Sequence, residues 1–185
     1  MDARERARRI KIILMDVDGT LTDGTLMILP ESGEEVRAYH VRDGQGIVLA
    51  RAAGLKVGII TGKTSKSVAL RAERLRLDEV HQGAFDKAPV LSDILKRLGL
   101  DPRDAAFIGD DIGDLEVMRR VGLAGAVADA HPLVRRQAHV VCRSAGGRGA
   151  VREFIEFILK AKGLGLTLEA VQEKGAGEPI RRRRT

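Results

Sequence analysis

The chain contains few of the residues that typify disulfide-rich, membrane-spanning or base-stacking proteins. Its 185 residues include one cysteine, Cys142, no tryptophan, one tyrosine and four phenylalanines. A single cysteine excludes an internal disulfide framework and suits a reducing compartment, and we expect it to be a small buried residue without a catalytic role. No apolar stretch approaches membrane-spanning length, and the charged start is not followed by a signal-type apolar region. We therefore expect a cytoplasmic protein with one domain.

The positive charge of the chain lies at its two ends. The formal net charge is +6, but residues 1–11 carry five basic and two acidic side chains, and residues 178–185 carry four arginines and one glutamate. The body between these ends is therefore neutral. Since aromatic residues for base stacking are also scarce, we expect neither nucleic acid nor a membrane as a partner. The run Arg181 to Arg184 is predicted to be a solvated tail.

Strand-like and helix-like segments alternate along the chain, which predicts right-handed βαβ crossovers and a parallel sheet. After an opening strand over 10–15, strands are predicted over 55–61, 79–82, 105–109, 125–128 and 140–141. Helices are predicted over 46–53, 67–75, 88–98, 115–121, 133–138 and 151–159. The predicted fold class is therefore α/β, with a Rossmann-like parallel sheet flanked by helices. It occupies one domain, 1–162, and a flexible tail follows over 163–185.

Residues 25–41 interrupt this alternation. Two extended runs, 26–29 and 36–39, flank a polar segment with proline and glycine over 30–34, which predicts a β-hairpin inserted after the first strand. A two-stranded ribbon cannot bury its own apolar side chains. We expect the hairpin to pack on another subunit, and the alternative is that it folds back onto its own domain.

The most informative motif is the carboxylate pair Asp16 and Asp18, directly after the opening strand. Ligands of open α/β sheets collect at the carboxyl ends of such strands, and side chains two residues apart share one face of an extended chain. Both carboxylates can therefore reach one cation or one phosphoryl group. An isolated Asp-x-Asp also arises by chance, so its meaning depends on the other strand ends.

Polar groups at three further strand ends complete a pattern for phosphoryl transfer. They are Thr61 and Gly62, then Lys87, then the run Gly109-Asp110-Asp111-Ile112-Gly113-Asp114. Several acids in one cleft repel one another, and Mg²⁺ relieves this repulsion while it keeps ligand positions for water and phosphate. We predict that Asp16, the backbone carbonyl of Asp18 and Asp110 hold the metal.

The same pattern indicates a role for each remaining group. Asp16 is the predicted nucleophile, which forms an aspartyl-phosphate, and Asp18 protonates the leaving oxygen and then activates water. The predicted phosphate-binding groups are the Thr61 hydroxyl, the Gly62 N–H and the Lys87 ammonium. Two further acids, Asp111 and Asp114, are predicted to support the site by fixing Lys87 or Asp110. Taken singly, each of these residues could instead be a helix cap or a surface residue.

The chain resembles the haloacid-dehalogenase phosphatase superfamily from about residue 11 to residue 160. Its four motifs are matched in order by Asp16-Val17-Asp18-Gly19-Thr20, Thr61, Lys87, and Gly109-Asp110-Asp111 with Asp114. Other segments resemble the 3-deoxy-D-manno-octulosonate 8-phosphate phosphatase family, namely Leu21-Thr22-Asp23-Gly24, the Gly33-Glu34-Glu35 turn, residues 41–46 and residues 145–153.

This resemblance implies an Mg²⁺-dependent phosphoric monoester hydrolase of lipopolysaccharide sugar synthesis. It also implies a small hairpin in place of a large cap domain. The expected assembly is a homotetramer in which the hairpins form a barrel and a neighbour closes the active site. Arg71, on the helix after Thr61, is a candidate to bind the sugar carboxylate through two parallel N–H···O hydrogen bonds.

Two other functions remain open at this stage. Lys63 follows Gly62 where the octulosonate phosphatases often carry arginine, so the substrate could be another small sugar phosphate, such as a nine-carbon sugar acid 9-phosphate. A signalling receiver domain also combines clustered acids, a hydroxyl and a lysine around Mg²⁺. Receiver domains, however, place the acid pair on an early strand and a lone phosphorylated aspartate on a later one. The Asp-x-Asp of the first strand and the adjacent pair Asp110-Asp111 favour an enzyme.

Overall fold

The computed structural model describes residues 1–170. The strands are β1 (Ile12–Met15), β2 (Met27–Ile28), β3 (Glu35–Val36), β4 (Lys56–Ile60), β5 (Glu79–His81), β6 (Ala105–Gly109), β7 (Leu123–Ala126) and β8 (Val140–Val141). The α-helices are α1 (Ala3–Arg9), α2 (Val41–Ala52), α3 (Lys66–Leu75), α4 (Lys87–Leu98), α5 (Leu115–Arg120), α6 (Pro132–Gln137) and α7 (Ala150–Ala161).

Six strands form one parallel sheet in the order β5-β4-β1-β6-β7-β8. β1 lies near the centre, and all four of its residues are fully buried. The chain builds the sheet outward from β1 to β4 and β5, and then crosses to β6 on the other side of β1. This reversal of strand order creates a crevice at the carboxyl end of β1, where ligands bind in folds of this class. The α/β fold class predicted from the sequence is confirmed.

The helices form two groups of contacts. In one, α7 packs against α1 and α2, and α2 also contacts α3; in the other, α5 packs against α4 and α6. Between them lies an apolar core with Phe107 on β6 and Phe154 on α7 among its largest fully buried side chains. The lone cysteine, Cys142, is buried, and burial raises the pKa of its thiol to about 12. Such a thiol stays protonated at neutral pH and has little nucleophilic character.

The hairpin exists but is shorter than predicted. Only two residues on each side pair, with Met27 opposite Val36 and Ile28 opposite Glu35. The segment after β3 leaves the ribbon, and Val41 already begins α2 instead of ending the hairpin. The prediction of extended structure up to residue 39, and of an insertion up to residue 41, was therefore too long. The cause is that an apolar run does not by itself show where strand pairing stops.

Helix α1 is not among the predicted helices, and several element ends differ from their predicted positions. Asp2 and Glu5 form a reciprocal capping box at the start of α1. This pair is a sequence signal for a helix start, in a segment interpreted only by its charge. α2 starts five residues before its predicted beginning at residue 46, and β7 spans 123–126 instead of 125–128.

Within residues 1–170 no helix combines the length and the hydrophobicity that crossing a membrane requires. The predicted tail begins inside this range, but its larger part, including Arg181 to Arg184, lies outside the described residues.

Candidate active site

The predicted site residues come together at the carboxyl ends of the central strands. Asp16 follows β1, Thr61 follows β4, and Asp110 follows β6. Lys87 is the first residue of α4, where Asp86 caps the helix by accepting a hydrogen bond from the Ala88 N–H at 3.1 Å. The parallel sheet thus brings distant parts of the chain to one edge, at the reversal of strand order.

Three carboxylates converge in this crevice: those of Asp16, Asp110 and Asp114. One oxygen of each lies within 4.8 Å of the others. Asp16 and Asp114 are buried, and Asp110 is partly buried. Among the described residues this is the one group of acids and other potential ligands close enough to share a cation. The carboxylate of Asp18 is not part of it, so a metal contact from Asp18 would come from its backbone carbonyl, as predicted.

Lys87 places its ammonium between two of these carboxylates. Its Nζ donates a short hydrogen bond to Asp16 Oδ1 and another to Asp114 Oδ1 at 2.6 Å. Burial disfavours the charge on this lysine, but the two carboxylates outweigh that effect and raise its pKa. The ammonium is therefore held charged beside Asp16.

Burial also raises the pKa values of two of these acids. It raises the pKa of Asp16 to about 6, because desolvation and the nearby Asp114 outweigh the attraction of Lys87. Burial and the negative charge of Asp16 raise the pKa of Asp110 to about 7. Both carboxyls thus hold their protons to a higher pH than ordinary aspartates, which is expected of buried acids that lie close to one another without a metal ion.

Asp110 is oriented by the loop that carries Asp16. The Thr20 hydroxyl donates to Asp110 Oδ1 at 2.9 Å, and Thr20 is fully buried. Gly19 has φ +94°, and a Cβ at this position would lie 2.1 Å from Asp110 Oδ2. The site therefore needs a glycine here for two reasons, the backbone conformation and the space that the carboxylate occupies. The sequence analysis assigned no role to either residue.

Asp114 supports its neighbours, in line with its predicted role. Its Oδ2 accepts a hydrogen bond from the Asp110 N–H at 3.0 Å, while Oδ1 accepts from Lys87. Asp111 instead is exposed and caps the turn Ile112–Asp114, where it accepts from the Ile112 N–H at 2.8 Å. Asp111 thus contacts the backbone of the loop and not Lys87.

Asp18 has a partner that the sequence did not reveal. Arg37, just after β3, donates from Nε to Asp18 Oδ1 at 2.7 Å and from Nη2 to Oδ2 at 3.3 Å. The guanidinium thus reaches from the hairpin segment to the loop after β1, which carries Asp16 and Asp18 and is called the catalytic loop below. The two residues are nineteen positions apart, and no periodicity or motif connects them, so only the folded hairpin shows the contact.

Two further predicted binding residues, Thr61 and Arg71, have different surroundings. Thr61 is 2% exposed, and its backbone bonds to His81 and Ala84 place the turn before Lys87 beside it. Arg71 lies on α3, with its guanidinium carbon 5.3 Å from the centre of the Tyr39 ring. Within the described part of the chain, Arg71 Nε is buried without a hydrogen-bond partner.

A glycine turn near the start of α7 supports the loop that carries Asp16. A Cβ on Gly146 would lie 1.7 Å from the Gly19 carbonyl oxygen, and Gly147 donates its N–H to the Thr20 carbonyl at 3.0 Å. The turn is therefore in direct backbone contact with the catalytic loop. Asp43, fully buried on α2, accepts from the Gly149 and Arg152 N–H groups at 3.1 and 2.8 Å and so fixes the start of α7.

Comparison of the sequence with known proteins identifies relatives that are hydrolases. A model of the haloacid dehalogenase-like hydrolases matches residues 69–155. The chain is 44% identical over 162 residues to the 3-deoxy-D-manno-octulosonate 8-phosphate phosphatase KdsC of Escherichia coli strain B. The aligned residues cover 88% of this chain and 86% of that protein.

Solved structures give the same result. The 3-deoxy-D-manno-octulosonate 8-phosphate phosphatase of Yersinia pestis has a TM-score of 0.87 at 41% identity and covers 97% of this chain and 92% of its own. The Moraxella catarrhalis enzyme, solved with a magnesium ion, a phosphate ion and KDO, has a TM-score of 0.85 at 37% identity, with 87% and 92% covered. The chain therefore belongs to the 3-deoxy-D-manno-octulosonate 8-phosphate phosphatase family of haloacid dehalogenase-like hydrolases.

Proposed function

We propose that this protein is an Mg²⁺-dependent phosphatase that hydrolyses 3-deoxy-D-manno-octulosonate 8-phosphate to the free sugar acid and inorganic phosphate. The observation that carries this proposal is the convergence of Asp16, Asp110 and Asp114, two of them paired with Lys87, in a chain 44% identical to phosphatases of that name. Family membership also favours an enzyme over the receiver-domain alternative.

The carboxylate cluster fits a magnesium ion. Its oxygens lie within 4.8 Å of one another, and carboxylate oxygens are the hard ligands that Mg²⁺ prefers. Burial, and then the negative charge of neighbouring acids, raises the pKa values of Asp16 and Asp110, and a bound metal ion would offset both effects. We assign the metal to Asp16, Asp110 and the Asp18 carbonyl, with Asp114 beside them. When bound, the ion neutralises charge on the transferring phosphoryl group.

The reaction divides into two steps. In the first, an Asp16 carboxylate oxygen bonds to phosphorus while the bond from phosphorus to the sugar oxygen breaks, and Asp18 gives its proton to that oxygen. In the second, Asp18 takes a proton from a water molecule whose oxygen attacks phosphorus, and the bond to Asp16 breaks. Asp16 is then free again, and phosphate leaves.

The charge of the phosphate requires partners besides the metal. Lys87 is already charged beside Asp16, so it can pair with a phosphate oxygen next to the nucleophile. The Thr61 hydroxyl and the Gly62 N–H are the remaining donors in this assignment. Arg71, whose Nε has no partner among residues 1–170, is the candidate for the sugar carboxylate.

We also propose that the protein is a homotetramer joined through the hairpin. Met27 and Ile28 are 56% and 66% exposed, and Leu29 and Val36 nearby are 42% and 37% exposed. Apolar side chains on a two-stranded ribbon are a favourable surface for other copies of the chain. The cytoplasmic location and the lack of a nucleic-acid partner stay predictions from the composition.

The test is phosphate release in the presence of Mg²⁺ from a panel of substrates. It contains 3-deoxy-D-manno-octulosonate 8-phosphate, nine-carbon sugar acid 9-phosphates, small neutral sugar phosphates and acetyl phosphate. We expect kcat/KM to be highest for the octulosonate. Preference for a nine-carbon acid would overturn the substrate and keep the chemistry, whereas stable phosphorylation by acetyl phosphate without turnover would overturn the chemistry as well.

A further inference from the structure

Arg37 connects three parts of the molecule. It follows β3 in the hairpin segment, and its Nε and Nη2 contact both carboxylate oxygens of Asp18. Its Nη1 donates to Ser65 Oγ at 2.8 Å, at the residue that precedes α3. Its Nη2 also donates to Glu35 Oε2 at 2.7 Å. One buried side chain thus joins the hairpin, the catalytic loop and the start of α3.

This guanidinium is committed to the protein and not to a ligand. All three of its nitrogens have acceptors, and its side chain has no exposed surface. It differs in this from Arg71, whose Nε is left without a partner among the residues that the structure describes. A substrate carboxylate would have to displace Asp18, Ser65 or Glu35 to reach Arg37. The contacts therefore point to an action on Asp18 rather than on the substrate.

The two-point contact fixes the direction of the Asp18 carboxyl. A single hydrogen bond allows a carboxyl group to rotate, whereas paired bonds from one planar guanidinium hold its plane. The Asp18 side chain remains 20% exposed, so part of it is still open to the crevice or to water. Glu35 Oε2 lies 2.7 Å from Nη2 and is a second acidic partner of the same guanidinium.

We propose that Arg37 is a positioning residue that aims Asp18 at the leaving oxygen of the substrate. The inference rests on the proposed function, because it takes Asp18 as the proton donor. It adds that the hairpin supplies this support from within the same subunit. The hairpin segment then has a task in catalysis besides the assembly proposed for its apolar residues.

The test compares two phosphate esters that differ in their need for a proton. A sugar leaves as an alkoxide unless it is protonated, whereas p-nitrophenolate leaves readily without a proton. The parameter is kcat/KM, since it covers the steps up to departure of the leaving group and is independent of the later hydrolysis of the aspartyl-phosphate. The sugar ester is the best substrate of the panel described above, so a different sugar preference leaves the comparison intact.

The variants are Arg37→Gln and Arg37→Lys, with Glu34→Gln as the matched control. Glu34 forms an exposed 3.1 Å ion pair with Lys66, which also links the hairpin to α3 but does not touch Asp18. We expect Arg37→Gln to lower kcat/KM on the sugar phosphate by roughly 10- to 100-fold, the usual effect of losing a group that orients a reacting side chain. On p-nitrophenyl phosphate we expect a loss of less than about threefold. Arg37→Lys should recover part of the rate, and Glu34→Gln should match the wild type.

Two results would overturn the inference. One is an equal loss on both esters in a variant that is folded by circular dichroism, which would mean that Arg37 supports the loop or the nucleophile and not proton donation. The other is an unchanged rate on the sugar phosphate. If Arg37→Gln does not fold, the ratio of the two kcat/KM values is taken from Arg37→Lys. Failure of the proposed function would appear separately, as the absence of sugar phosphate turnover by the wild type.

Discussion

Lys87 between Asp16 and Asp114 shows how the site balances charge at the scale of single residues. Three acids and one ammonium share a largely buried pocket, so each group depends on the others for compensation. A metal ion and a phosphate would add one cation and one anion to this set. In the proposed reaction, the same residues therefore affect metal binding, phosphate binding and the charge of Asp16.

Substitution of the nucleophile gives the first prediction. Asp16→Asn should lower kcat by roughly 10³-fold or more, because an amide oxygen cannot form the acyl phosphate. Circular dichroism and sedimentation should stay as in the wild type. Asp93→Asn, which removes the same charge from an exposed position on α4, is the control and should keep full activity. Substantial phosphate release by Asp16→Asn would exclude Asp16 as the nucleophile.

The pH dependence of metal binding gives the second prediction. With pKa values of about 6 for Asp16 and about 7 for Asp110, both carboxyls hold protons that Mg²⁺ must displace at low pH. We expect Mg²⁺ to raise the unfolding temperature strongly at about pH 8 and weakly at about pH 5. An equal rise at both pH values would contradict this assignment of the metal site.

The same two acids affect the metal-free protein in the opposite direction. Their folded-state pKa values lie above those of the unfolded chain, so the folded protein binds more protons between about pH 4 and pH 7. These two groups therefore make the metal-free protein lose stability as the pH rises through this range. Thermal unfolding with a chelator present measures this trend and serves as the baseline for the magnesium experiment.

Sequence motifs predicted which residues meet in the crevice but not the contacts that hold them there. Asp16, Thr61, Lys87 and Asp110 follow strands, and the parallel topology alone requires their side chains to meet at one edge. Arg37 could not be found in this way, because its contact with Asp18 depends on where a short hairpin leaves its ribbon. Motifs therefore predict the residues that the sheet topology brings together. Contacts that depend on loop geometry, such as that of Arg37, are not predicted from them.

At the scale of secondary structure elements, the start of α7 carries much of the support for the catalytic loop. Gly146 and Gly147 contact the backbone around Gly19 and Thr20, and Asp43 on α2 fixes the adjacent helix start. An element without any predicted catalytic residue thus determines where the first motif lies. Its position depends on one buried carboxylate of α2.

That dependence gives the third prediction. Asp43→Ala should lower the free energy of unfolding by about 1–3 kcal/mol, because it leaves two N–H groups at the start of α7 without their acceptor. Urea denaturation measures the loss. Asp101→Ala is the control: it removes a similar cap from an exposed turn and should cost less. Equal losses in the two variants would show that burial of the Asp43 cap has no special weight.

Element types were easier to predict than element ends. Both β6 and β8 have the predicted bounds, since buried apolar runs between turn residues mark such strands clearly. Helix α2 starts earlier than predicted. Its first residues, Val41 and Arg42, are exposed and do not show the apolar spacing of an amphipathic helix. Tertiary contacts such as those of Asp43 hold this turn, and a pattern of hydrophobicity does not include them.

At the scale of the whole molecule, the exposed apolar residues of the hairpin are the basis of the proposed assembly. Met27, Ile28 and Val36 lie on or beside one short ribbon and would be poorly placed in an isolated monomer. Their burial between subunits would also hold the segment that contains Arg37. Assembly and catalysis are then connected through a few residues.

The fourth prediction tests the assembly. If the proposed tetramer forms, Met27→Glu should reduce its sedimentation coefficient toward that of smaller species, because it places a charge in the proposed apolar contact. Leu133→Glu, at a residue 40% exposed on α6, is the control and should leave sedimentation unchanged. An unchanged coefficient for Met27→Glu would contradict the hairpin interface.

The support of the first motif by the glycine turn also has a consequence for synthesis on the ribosome. The loop with Asp16 leaves the exit tunnel before Gly146 and Gly147, which follow about 125 residues later. Since domains fold as units when their parts are available, a nascent chain cannot complete this support before the glycine turn and α7 have emerged. The first motif is therefore synthesised well before the residues that hold its loop in place.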